Sequence, residues 1–158
     1  MKFSEMPYTR PDYAAAAKEL DSLTARLRGA ASAQEQVALY KEYETLLSHL
    51  STQATLCSIR HTVDTRDAFY EEENNYNDEQ APLLEEKLQP FRQALLASPY
   101  RAELEESLGK LLFQNMELEE KAFSPEIVPL MQEENRLANE YQKLYASAQI
   151  PFMGKTVT

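Results

Sequence analysis

The chain has 158 residues, enough for one domain with a buried core. Its 26 acidic residues outweigh 16 basic ones, for a net charge of −10 with histidine neutral. That sign excludes a binder that works by neutralising nucleic-acid phosphates, and it excludes an anionic membrane surface as a partner. The single cysteine, Cys57, rules out an internal disulfide framework and fits a reducing compartment.

The opening Met1-Lys-Phe-Ser-Glu-Met-Pro-Tyr8 lacks the apolar run of a secretion signal. No stretch approaches the roughly 20 apolar residues of a membrane span. A cytoplasmic location follows as the expectation. Helix formers dominate the composition, with only three glycines and no tryptophan.

A first helix is expected from about Thr9 to Arg28, with Thr9 as cap, Asp12 three residues on and Pro11 in the first turn. Leu20, Leu23 and Leu27 stack on one of its faces, and Gly29 stops it. Ser32-Ala-Gln-Glu35 is a capping box that opens a second helix. Between Ala30 and Ala81 there is neither Gly nor Pro, so this helix reads as unbroken to about residue 74, roughly 60 Å at about 1.5 Å per residue. Leu39, Tyr43, Leu46 and Leu50 form one apolar stripe. Leu56, Ile59, Val63 and Tyr70 continue on a shifted phase, as expected if the helix meets different neighbours along its length or bends near Ser48–Thr52.

Asn74-Asn-Tyr-Asn-Asp78 reads as a loop. A third helix should follow Pro82, carrying Leu83, Leu84, Leu88, Phe91, Leu95 and Leu96, with a kink at Pro90. Ser98-Pro99 should cap a fourth, with Leu104, Leu108, Leu111, Leu112 and Met116. Ser124-Pro125 should open a fifth, with Ile127, Leu130, Leu137, Tyr141 and Leu144. After Ala148 the text changes: Ile150-Pro-Phe-Met-Gly-Lys-Thr-Val-Thr158 is strand-like with a glycine turn.

The expected fold is therefore all-α: an antiparallel bundle of about five helices with one very long second helix, ending in a short strand segment. Residues 1–148 read as one helical domain. Residues 149–158 read as the start of a further, truncated region, since a lone strand segment needs partners for its backbone groups.

Reactive chemistry is scarce. His49 and His61, twelve residues apart on one helix, lie roughly 18 Å from each other and cannot share a metal. Leu46 and Ser58 occupy the positions that a Glu-x-x-His pair would need, which removes a ferritin-like di-iron centre. Both histidines read as surface or interface residues, and Cys57 as a small buried hydrophobe. Asn75, Asn77 and Asp78 mimic a calcium loop poorly, without the central Gly or a terminal Glu. The pairs within Glu71–Glu73, Glu105–Glu106, Glu119–Glu120 and Glu133–Glu134 read as solvated helix faces, or as an acidic wall facing cationic peptides.

The richest stretch is one turn. Arg60 and Asp64 stand at i,i+4 spacing for an ion pair, with Asp67, Phe69, Tyr70 and Glu73 close behind. These six residues read either as internal helix packing or as a channel or interdomain contact.

The same stretch carries a resemblance. Thr55-Leu-Cys-Ser-Ile-Arg-His-Thr-Val-Asp-Thr-Arg-Asp-Ala-Phe-Tyr-Glu71 resembles the amino-terminal region of oligoendopeptidase F-like zinc peptidases, relatives of thimet oligopeptidase. Met1–Asp12, Ser98-Pro-Tyr-Arg101, Lys121-Ala-Phe-Ser-Pro-Glu-Ile127, Glu133-Glu-Asn-Arg-Leu137, Glu140-Tyr141 and Ala146–Lys155 follow in the family's order, so the likeness spans the whole chain.

The resemblance implies a parent metallopeptidase that cleaves short peptides in a deep channel. Its one zinc would be held by His-Glu-x-x-His and a downstream Glu, with the motif Glu as general base. None of those residues is present, so no catalytic or metal role transfers. The implied partners are a catalytic domain of the same chain and, in the parent, short peptides. The implied role is one wall of the channel, with the long second helix helping to exclude folded proteins. The alternative is a freestanding acidic helical-bundle interaction module, which explains the helices and the charge equally well but not the terminal switch to strand.

Overall fold

Asp12, rather than Thr9, starts the first helix: its Oδ1 accepts the Ala15 N–H at 2.8 Å, satisfying one orphan donor of the first turn. The computed structural model describes residues 5–122 and 124–157. Three pieces of the sequence reading, Met1–Ser4, Phe123 and Thr158, lie outside the described residues. Helix α1 spans Tyr13–Gly29 and buries Leu20, Leu23 and Leu27 as the stripe predicts. Thr9 instead gives its backbone N–H to Gln53 Oε1 at 2.9 Å.

Helix α2, Ala33–Val63, begins at the predicted capping box: Ser32 Oγ accepts the Glu35 N–H, and Glu35 Oε2 reaches back to the Ala31 N–H. It does not run to residue 74. It ends after 31 residues, about 46 Å, because two aspartates supply the stop that Gly and Pro do not. Asp64 gives its N–H to the Arg60 carbonyl and accepts the Arg66 N–H on Oδ1. Asp67 Oδ1 then accepts the N–H groups of Phe69 and Tyr70, capping the next helix. There is no break at Ser48–Thr52. The shift of apolar phase reflects a change of neighbours along one helix: Leu39, Tyr43 and Leu50 belong to the central core, whereas Leu56, Cys57 and His61 are buried at the far end.

Helix α3, Ala68–Leu96, contains the segment Asn74–Asp78 that the sequence suggests is a loop, and it carries both Pro82 and Pro90 in its interior. The Asn residues are not turn formers here. Asn77 is buried, accepts from Tyr13 Oη at 2.8 Å and donates to the Glu73 carbonyl, so tertiary contacts outweigh intrinsic preference. The expected fourth helix is two: α4, Arg101–Leu108, and α5, Lys110–Ala122. They are separated at Gly109, whose φ of 95° lies where only glycine is unstrained. A single 3₁₀ turn, Pro125–Ile127, leads into α6, Val128–Ala146.

Helices α1, α2 and α3 pack around one core in which Tyr43 and Phe91 stack at 4.3 Å, with α4 closing on α2 and α5 on α3. Burial of Leu20, Leu27, Leu95, Leu104 and Phe113, each essentially inaccessible, supplies about 1.5–3 kcal/mol per side chain before entropy is counted. Helix α6 packs mainly on α3 and touches α2 through Asn139 at His61. The chain then forms an antiparallel hairpin, β1 (Ile150–Phe152) with β2 (Lys155–Val157), in the register Ile150 with Val157. Met153 and Gly154 both have positive φ at its two-residue turn, as the right-handed twist of short hairpins favours.

Candidate functional site

Two polar assemblies join elements distant in sequence. The first surrounds Glu73, which is buried at 2% exposure. Its carboxylate accepts from Tyr8 Oη at 2.6 Å and from Arg10 Nε at 2.8 Å, and it also pairs with Arg10 Nη2. These bonds pin residues 8–10 across the α2–α3 turn. The Arg10 bonds hold the Glu73 carboxyl below the usual range, while burial and donation to Glu73 push the Tyr8 phenol up. Arg60 closes the other side: Nη1 donates to Tyr70 Oη at 2.7 Å and Nη2 to the Met6 carbonyl at 2.5 Å. Tyr8, Phe69 and Tyr70 meet edge to face.

The six residues singled out in sequence therefore divide. Arg60, Tyr70 and Glu73 serve internal bonds, and Asp67 is a helix cap. The expected Arg60–Asp64 ion pair is not among the described ones; Asp64 pairs loosely with Arg66 at 3.6 Å. Asp64 and Phe69, the latter 55% exposed, face outward, whereas Arg60, Asp67 and Tyr70 are half-buried and Glu73 is buried.

The second assembly fastens α6 to α3, and the sequence reading missed it. Pro82 has no N–H, so the Asp78 carbonyl one turn back lacks its helical partner; Asn135 Nδ2 donates to it at 3.2 Å. Gln132 Nε2 donates to the Glu79 carbonyl at 2.8 Å. Asn139, buried, donates to Asn75 Oδ1 at 2.8 Å and sets its own Oδ1 3.2 Å from His61 Nε2. Because Asn139 Oδ1 only accepts, Nε2 is the protonated nitrogen, and Nδ1 is left buried with no partner. Lys143 binds Glu71 at 2.5 Å and holds that carboxyl low. Asp78, half-buried beside them, is pushed up to about 6 by burial.

Asn75, Asp78, Glu79, Gln132, Asn139 and Lys143 line a polar groove of about 710 Å³ between α3 and α6. The surface signal in the sequence was the Gln132, Asn135, Asn139 spacing of three and four, which places three amides on one helix face; their partners are far away in sequence.

The opposite face of α6 is apolar and open. Leu130, Leu137, Tyr141, Leu144 and Tyr145 are 51–79% exposed. Among the described residues no cluster of three His, Cys, Asp or Glu side chains could hold a metal. His49 is on the exposed side of α2 and His61 in the α6 contact, so these residues do not fit a zinc site. Cys57 is fully buried and its thiol is pushed up by that burial, the setting of an inert packing cysteine. No described helix is long and apolar enough to cross a membrane.

Fold and site together define a helical scaffold domain. Its buried polar groups hold helices in place and its open apolar face lies on the last helix. Residues 3–123 match the family described as Peptidase M3 N-terminal domain. Three solved structures superpose on the chain with TM-scores of 0.94–0.95. One is a provisionally assigned oligoendopeptidase F, 44% identical over 100% of this chain; another is PZ peptidase A with an inhibitor, 41% identical over 99%. A third, a provisionally assigned oligoendopeptidase F from Bacillus anthracis, is 35% identical over 99%. The comparison with curated proteins gives no match. The chain belongs to the peptidase M3 N-terminal domain family, and it spans 28–29% of the length of these three relatives.

Proposed function

We propose that this chain is the non-catalytic helical domain of a cytoplasmic zinc oligoendopeptidase, where it forms one wall of a channel that admits short peptides. The observation that carries the reading is the superposition of the whole chain, at 35–44% identity, on just over a quarter of three peptidase-related structures. The zinc and the general base belong to residues outside this chain, and no catalytic step is assigned to any residue here. The chain's own part is mechanical. The α2–α3 pair, braced by the Glu73 cluster, is a rigid rod that contributes a wall rather than a nucleophile.

The test uses the complete product of the reading frame that encodes these residues. Hydrolysis is measured on quenched-fluorescent peptides of increasing length and on a folded protein, with and without a chelator. Chelator-sensitive cleavage confined to short peptides supports the reading. Cleavage of the folded protein at comparable rates removes the channel, and a product without peptidase activity removes the enzyme.

A further inference from the structure

Helix α6 is inside out for a helix that ends a domain. It is held to α3, and at His61 to α2, by side-chain amides and one lysine, and Val128 is the one buried apolar residue among its described side chains. Amphipathic helices normally bury the apolar stripe and solvate the polar one. Here Leu130, Leu137, Tyr141 and Leu144 recur at intervals of seven, four and three and stand exposed, the spacing at which one helix packs knobs into holes along another. Glu134 lies on that seam between Leu130 and Leu137. Its neighbours Glu133 and Glu140 pair with Arg136, but Glu134 has no ion-pair partner among the described residues. An exposed apolar stripe of this length marks an interaction surface.

We infer that the outer face of α6 is the docking surface for an amphipathic helix of the peptidase region that the longer relatives contain and this chain does not, with a basic side chain set opposite Glu134. This rests on the proposed function. Two further observations choose that occupant. The relatives devote roughly 70% of their length to chain beyond the part matched here. In the chain the seam is followed at once by the hairpin Ile150–Val157, whose Ile150 and Met153 are exposed in turn; a two-stranded hairpin gains stability only against a further strand or helix. A second copy of the chain is the lesser fit, because the face carries an unpaired acid in a molecule of net charge −10, so two copies would bring like charges together.

The experiment compares maleimide labelling of Leu144→Cys in the 158-residue chain and in the complete reading-frame product. Each rate is normalised to the rate in urea and resolved from Cys57 by peptide mass spectrometry. Labelling at least tenfold slower in the complete product, and fast and independent of concentration in the 158-residue chain, is the expected result. Equal rates in a product that retains peptidase activity overturn the docking surface and leave the proposed function standing. Protection in the 158-residue chain that grows with concentration puts a second copy on the face and overturns the assignment. A product with no peptidase region fails the proposed function and removes the occupant with it. A second variant, Glu134→Lys, should speed Leu144→Cys labelling in the complete product; an unchanged rate removes the basic partner.

Discussion

Two carboxylates in α3, five residues apart, respond to their surroundings in opposite directions. Glu73 is buried but receives a tyrosine and an arginine, so its folded-state pKa is depressed. Its contribution to stability is present above the ordinary glutamate range and is lost as pH falls through it. Glu73→Gln should cost about 1–3 kcal/mol at pH 7 by removing the buried carboxylate that accepts from both Tyr8 and Arg10, although Arg10 keeps Glu72 at 3.0 Å. That gap in the urea midpoint should narrow as pH falls below the ordinary glutamate range and the wild-type carboxyl takes up its proton in turn; a gap that stays constant down to acid unfolding would show that shape, not charge, is responsible. Asp78 has its pKa raised to about 6 by burial. The folded state therefore prefers the protonated form, and ionised Asp78 destabilises the fold above about pH 6. Asp78→Asn keeps the contact from Asn74 and should stabilise by about 1 kcal/mol at pH 8, after discounting for partial solvent screening. The gain should vanish below pH 4, and a constant gain across pH would refute the assignment.

At the scale of elements, the latch between α3 and α6 makes a sharper claim. Asn139→Ala removes the link between His61 and Asn75 and leaves a buried imidazole with both nitrogens unpaired, which costs about 1–3 kcal/mol. The cost should be local: amide exchange in α6 should accelerate while α1, packed against α2 and α3, keeps its protection. Uniform acceleration would mean that the latch is part of the global core.

What was legible in the sequence follows the range of the interaction. The Ser32–Glu35 box and the Leu20–Leu23–Leu27 stripe are local patterns, and both appear as read. The stop at Asp64–Asp67 is also local, but it uses aspartate side chains in place of the usual breakers Gly and Pro. Asn74–Asp78 looked like a loop because its asparagines find their partners in other helices: Asn77 meets Tyr13, and Asn75 meets Asn139 sixty-four positions away. The same distance hid the α6 latch and the bonds of Arg60 to Met6 and of Glu73 to Arg10.

The whole molecule combines a core built from α1 to α5 with a final helix whose apolar side faces water. If that side contributes nothing to the stability of the 158-residue chain, its residues are free to be polar without cost. The double variant Leu137→Gln, Leu144→Gln alters two side chains that are 51% and 71% exposed and lie away from the amide latch. Its unfolding free energy should stay within about 0.5 kcal/mol of the parent, as for surface changes that touch no cap, core or ion-pair network. Its binding of a hydrophobic dye should nevertheless fall severalfold, because the seam is the main contiguous apolar surface among the described residues of α6. Net charge of −10 keeps copies of the chain apart at low salt, so the dye reads the monomer's own surface. Unchanged dye binding would place the accessible apolar surface elsewhere, at Ile59, Val63 and Phe69 beside the α2–α3 turn. A loss of several kcal/mol would instead show that α6 packs inward in solution, with Leu137 and Leu144 in a core that the fold described here does not contain.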